Sequence, residues 1–196
     1  MHIVEASSVK ASGEDPRPFV PATFAYMGTD AEMHEHATLA LLDTGSTRAI
    51  VPARFLPPHA PTWAHLTRTS AAVNGVTSPK AEVRIWNVDV VVFGVRVCRD
   101  VLVLTPDAES LGYPVLGLDS VFAHFHVAFA FGSIPPVVIL RPQGQVEPLP
   151  TTRWRVDHVS NTWEGVVSID TPALPSGMRV TMPANRETRR RIGMGR

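Results

Sequence analysis

Apolar residues come in short runs along this chain, and about half of the runs are closed by glycine, proline or asparagine. Residues 19–27 and 34–42 are rich in β-branched and apolar side chains and flank Gly28-Thr29-Asp30, which predicts two strands joined as a hairpin. Ala49-Ile50-Val51 reads as a short strand stopped by Pro52. Over 53–68, Pro57, Pro58 and Pro61 remove the N–H groups that a ladder needs, so a loop or partly packed excursion is expected there. Strand formers at 69–73 and 80–92 surround Asn74-Gly75-Val76-Thr77-Ser78, a hairpin signal. Within 80–92 the apolar set moves from odd positions (Val83, Ile85) to even ones (Trp86, Val88, Val90, Val92), which predicts a bulge near Trp86.

Phe93-Gly94 turns the chain into a strand over 95–104, and 105–113, with Pro106 and Gly112, reads as a loop. Val115-Leu116-Gly117 follows, then 118–125 with room for about two helical turns. Residues 126–131 and 137–140 make a last hairpin around Gly132 to Pro136. Many short, evenly spaced strands with one late helix predict an all-β, barrel-like domain over 19–140, and no solenoid-like repeat is present. The polar residues 1–18 read as a flexible leader. Residues 141–196 form a proline- and arginine-rich extension, with 154–159 and 163–169 able to pair as an extra hairpin across Ser160-Asn161.

Composition narrows the function classes. With 196 residues and 44% apolar content, the chain can bury a real core. Formal net charge is +0, so no overall field favours nucleic acid or an anionic membrane. The five arginines after residue 185 lack interleaved aromatics and read as a solvated tail, so no nucleic-acid partner is assigned. Val121 to Leu140 is interrupted by His124, His126 and Pro135-Pro136, which argues against a membrane span. Met1 to Glu5 has no secretory signature, and a cytoplasmic location is the expectation. Cys98 is the single cysteine and sits among Val97, Val101 and Val103. It reads as a buried small hydrophobe, and a disulfide framework is excluded.

The chemistry concentrates at Ala40-Leu41-Leu42-Asp43-Thr44-Gly45-Ser46-Thr47. A lone carboxylate at the end of an apolar strand must be hydrogen-bonded or functional. Asp, Gly and Ser also make an ordinary turn, and the tetrapeptide alone leaves both readings open. A second element, Val115-Leu116-Gly117, lies 74 residues after Asp43. The pairing resembles the retropepsin-like aspartic proteases, in which the strand carrying Asp-Thr-Gly threads past a later apolar-apolar-Gly strand followed by a helix. The resemblance covers about residues 19 to 140 and implies a closed β-barrel acting as a symmetric homodimer.

By that resemblance Asp43 is the catalytic carboxylate, Thr44 locks two loops across the dyad and Gly45 lies beside the carboxylates. Ser46 supports the outer carboxylate oxygen, and Asn74, Gly75 and Val76 form a flap over an extended peptide or protein substrate. Leu118 stands where the retroviral members carry arginine, whereas Asp119 fits other members. Acid–base hydrolysis of this type needs two carboxylates, one ionised and one protonated. Val166 to Thr171 imitates the first motif, but Pro172 replaces the needed glycine, which leaves a homodimer as the source of the second Asp43. The rival reading is a catalytically silent relative that dimerises or binds peptide strands. His34-Glu35-His36 and His124-Phe125-His126 read as exposed strand histidines, so no metal and no cofactor are assigned. No Gly-x-Ser-x-Gly elbow or phosphate-binding glycine loop occurs.

Overall fold

The computed structural model describes residues 1–5, 17–73, 81–106, 112–130, 132, 136–144, 151–168 and 178–182. Among them the chain is mostly β with one short helix. The strands are β1 (His2–Glu5), β2 (Phe19–Met27), β3 (Met33–Leu42), β4 (Ile50–Pro52), β5 (Thr67–Val73), β6 (Ala81–Val92), β7 (Val95–Leu104), β8 (Val115–Leu116), β9 (Phe125–Ala130), β10 (Val137–Pro142), β11 (Thr151–Asp157), β12 (Thr162–Ser168) and β13 (Met178–Met182). The helix α1 is Val121–His124. No helix among the described residues is long and apolar enough to cross a membrane.

The chain divides into two compact units, one of Met1–Pro21, Ala37–Leu39 and His124–Arg196, the other of Ala22–His36 and Ala40–Ala123. The first holds a six-stranded sheet in the order β13-β12-β11-β1-β10-β9. β1 runs antiparallel to β10, pairing Val4 with Val138, and parallel to β11, pairing Val4 with Trp154. His2–Glu5 is therefore a central strand and not part of a flexible leader, because two neighbours satisfy its backbone and Val4 is fully buried. The expected extra hairpin is present as β11 and β12. Trp154 lies over Gly165 on the facing strand, where an added Cβ would come within 2.7 Å of the indole. Asn161, at φ 52°, turns that hairpin, and its Oδ1 accepts from Leu39 N–H at 2.8 Å.

The second sheet has seven strands in the order β2-β3-β8-β4-β7-β6-β5, and β2 also pairs with β6 through Thr23–Val91, Phe24–Val90 and Ala25–Asp89. Its hydrogen bonding thus returns to its own first strand. The expected single barrel over 19–140 differs in that β9 and β10 join the other sheet, where β1 pairs with β10. A core of Ile50, Val83, Leu102, Leu104 and Val115 fills this second unit. Register shifts on β6 fall between Asn87 and Val90 and between Val90 and Val91, just past the expected bulge. The pairing with β7 is regular from Val83 to Asn87, and Val83, Trp86, Val88, Val90 and Val92 are all buried.

The proline-rich stretch packs through two single 3-10 turns, Ala53–Phe55 and Trp63–His65. Buried Arg84 clasps the second turn by donating to the Trp63 and Ala64 carbonyls at 2.9 and 2.7 Å, with its guanidinium 4.8 Å from the Trp63 ring centre. The helix is shorter than the two turns expected. Gly117 to Ser120 is spent on a turn closed by Ser120 N–H to the Gly117 carbonyl, and buried Phe125 is drawn into β9 opposite Pro142.

Candidate active site

β8 lies between two strands that follow one another in sequence. Leu41 and Leu42 of β3 pair in parallel with Val115 and Leu116, and Ile50 of β4 pairs antiparallel with Val115. The 43–49 loop joining β3 to β4 must therefore cross the end of β8, and it crosses at Gly117. Ladder bonds run from Leu41 N–H to the Pro114 carbonyl at 2.8 Å and from Asp43 N–H to the Leu116 carbonyl at 3.1 Å. Beyond the crossing the direction reverses: Leu118 N–H donates to the Ser46 carbonyl at 2.9 Å and Asp119 N–H to the Thr47 carbonyl at 2.8 Å.

Gly117 is dictated by space. A Cβ there would meet the Ser46 carbonyl oxygen at 2.4 Å and Arg48 backbone atoms at 2.7 and 2.9 Å, none of which can swing aside. Ser120, fully buried, donates its hydroxyl to the Gly117 carbonyl at 2.8 Å and fixes the turn beneath.

Asp43 is half-buried at the start of this loop, and Gly45 N–H donates to its Oδ1 at 2.8 Å. A Cβ on Gly45 would stand 3.1 Å from that oxygen, so the glycine serves a close approach. It is not among the described glycines with positive φ, which are Gly94 and Gly144. Thr44 and Gly45 are exposed beside the carboxylate. The Ser46 hydroxyl donates to the Arg48 carbonyl at 2.7 Å and braces the loop. Asn74, Gly75 and Val76 lie outside the described residues, and the described pairing of β5 with β6 extends to Val73 opposite Ala81.

Sequence reasoning missed Arg48. Its Nη2 pairs with Asp100 Oδ1 on β7, and its Nε lies 3.4 Å from Asp119 Oδ2. The loop after Asp43 is thus tied by charge to the chain just past Gly117, with the arginine on the first segment and the carboxylate on the second. Burial, opposed by Arg48 and reinforced by Asp100, holds the Asp119 carboxyl above its usual range. Cys98 lies close enough to feel the same charges. Burial first, then Asp119 and Asp100, push its thiol up to about 12, which leaves essentially no nucleophilic thiolate near neutral pH.

His34 and His36 both stand on β3, two residues apart and half-buried, whereas the second histidine pair separates. His124 closes α1 while His126 stands on β9, so they do not share a strand face. No family model matches the chain, and no curated protein matches it. Among solved structures it is similar to one described as the crystal structure of a retropepsin-like aspartic protease from Rickettsia conorii. The two share 13% sequence identity over 70% of this chain and 88% of that one, at a TM-score of 0.45.

Proposed function

We propose that the chain is an aspartic endopeptidase of the retropepsin-like type, active as a symmetric homodimer that cuts extended peptides with apolar residues around the scissile bond. The observation that supports this is the Asp43 loop: one carboxylate held by the Gly45 amide, at a loop clamped over Gly117 and flanked by exposed Thr44. It has the form of half a site, since hydrolysis by water needs a second carboxylate that the chain's other Asp-Thr sequence, followed by Pro172, cannot supply.

In the dimer, the ionised Asp43 takes a proton as water adds to the scissile carbonyl carbon. The protonated Asp43 of the second copy donates to the carbonyl oxygen. Breakdown of the tetrahedral species breaks the C–N bond and returns a proton to the leaving amine. Thr44 is assigned to the contact across the dyad, and Asn74, Gly75 and Val76 to the cover over substrate. Water is the nucleophile and no cofactor takes part.

The test is digestion of an unfolded protein or peptide library by the wild type and by Asp43→Asn, read by mass spectrometry beside sedimentation. Wild type should cleave, and the variant should lose about a thousandfold or more in rate while still forming dimers. Equal cleavage by both would overturn the assignment. A wild-type dimer that binds peptides without cutting them would instead mark a silent binding module.

A further inference from the structure

The hairpin between β2 and β3 carries a cluster unrelated to Asp43. His34 Nε2 lies 2.9 Å from both carboxylate oxygens of Asp30, and His59 Nδ1 lies 3.2 Å from Asp30 Oδ2. The three donor atoms all fall within 4.8 Å of one another. His59 comes from the proline-rich stretch, 25 residues beyond His34, so two separate segments converge on one carboxylate.

We infer that Asp30, His34 and His59 form a binding site for one divalent transition-metal ion of the zinc class. Two imidazole nitrogens and one carboxylate oxygen are a donor set that suits zinc, copper or nickel, whereas calcium and magnesium prefer all-oxygen shells. Ligand bonds of about 2.0–2.2 Å in a tetrahedron place donors roughly 3.4 Å apart. The present separations bracket that spacing. The His34 and His59 rings lie face to face, 4.7 Å between centres and 2° from parallel, so a modest fanning of the rings aims both nitrogens at a common point. The His59 side chain, 55% exposed, has room for that rotation, and its exposure and that of Asp30 leave a fourth position for water.

The surroundings hold the donors in place from both segments. Tyr26 lies 5.6 Å from the His34 ring centre and donates its hydroxyl to the Pro58 carbonyl at 2.6 Å. Thr29 N–H donates to the His59 carbonyl at 2.8 Å. Glu32 N–H donates to Asp30 Oδ1 at 3.1 Å. Gly28 is needed for the cluster, because a Cβ there would strike Asp30 Oδ1 at 2.4 Å and the His34 ring at 2.5 Å. His59 itself sits at φ 65°, a conformation uncommon for a side-chain-bearing residue. Supporting contacts of this kind orient metal ligands. Sequence reading paired His34 with His36, but the partner comes from a loop that periodicity does not place.

The experiment titrates zinc chloride into the chelator-treated full chain by calorimetry, with cobalt(II) absorption as a second readout and circular dichroism to confirm folding. One zinc per chain with a micromolar or tighter Kd is expected, together with a rise in Tm on the order of 5 °C in excess zinc. Tetrahedral cobalt bands should appear in the wild type and in His126→Ala. His59→Ala should weaken zinc binding at least tenfold and abolish the cobalt spectrum. Asp30→Asn, which keeps the shape of the hairpin, should do the same. Absence of saturable binding below about 100 μM would show a hydrogen-bonded clasp only, and undiminished binding in the His34→Ala/His59→Ala double variant would place the metal elsewhere; either overturns the inference. Peptide cleavage plays no part in these readings.

Discussion

The Gly117 α-carbon faces the Ser46 carbonyl so closely that a methyl group on it would stand 2.4 Å from the oxygen. The neighbouring amide of Leu118 donates to that same carbonyl. Contact and hydrogen bond together fix where the Asp43 loop crosses the sheet. Gly117→Ala should therefore destabilise the protein by about 2 kcal/mol or more, since the clash is with backbone. Urea unfolding measures this. Any peptidase activity should fall further than stability does, and an unchanged midpoint would mean the crossing is looser than described.

If the site is shared between two copies, activity per chain should collapse on dilution through the dimer dissociation constant. Sedimentation velocity and a fluorogenic peptide assay over the same concentrations should give coincident transitions. Constant specific activity in a monomeric sample would rule out a site built across a dyad.

The sequence sets residues 141–196 apart as a proline- and arginine-rich extension, yet strands β11 to β13 belong to the six-stranded sheet. With β11 hydrogen-bonded along β1, its removal leaves a central strand without one neighbour. Truncation after Arg141 should yield an aggregating or poorly folded chain. Trp154→Ala is the finer probe and should cost about 3–5 kcal/mol, because the indole is buried against Gly165. Chemical denaturation decides between this and a detachable tail.

His2 gives a pH dependence of defined sign. Burial, aided by the N-terminal amine, lowers its pKa from 6.5 to about 4, and Trp154 Nε1–H points to its Nδ1 at 3.3 Å. The folded state thus disfavours the proton. Its share of stability is fully present above pH 6.5 and is lost as pH falls from 6.5 towards 4, up to about 3 kcal/mol. Stability of wild type against His2→Gln, measured at pH 7.5 and pH 4.5, should converge or change order at the lower value.

Cys98, with its thiol near 12, should react with iodoacetamide at pH 8 about a thousandfold more slowly in the native chain than in urea. Mass spectrometry of labelled protein follows the rate. Fast native labelling would show that the β7 segment opens readily.

Several of these features were legible in the sequence for local reasons. Asp43 at the end of an apolar strand and a glycine after a second apolar pair both announce themselves within a few residues, and Ser160-Asn161 separates two strand-forming runs cleanly. What was hidden depends on distant partners. His2–Glu5 is a strand only because 137–140 and 152–155 meet it from both sides. Arg48 is assigned by Asp100 and Asp119, and His59 by Asp30 at a hairpin tip 29 residues earlier. The helix was overestimated because nothing local marks Phe125 as a strand residue; its burial and its pairing with Pro142 do.

The position of β1 also orders the making of the molecule. It leaves the ribosome well before its partners β10 and β11, which arrive after some 130 residues of intervening chain, and closing so long a loop is slow and entropically costly. The strands around Asp43 and Gly117 lie inside that interval and need nothing beyond Ala123 to complete their own unit. Synthesis therefore allows the clamp over the carboxylate to be set while β1 still waits for its partners.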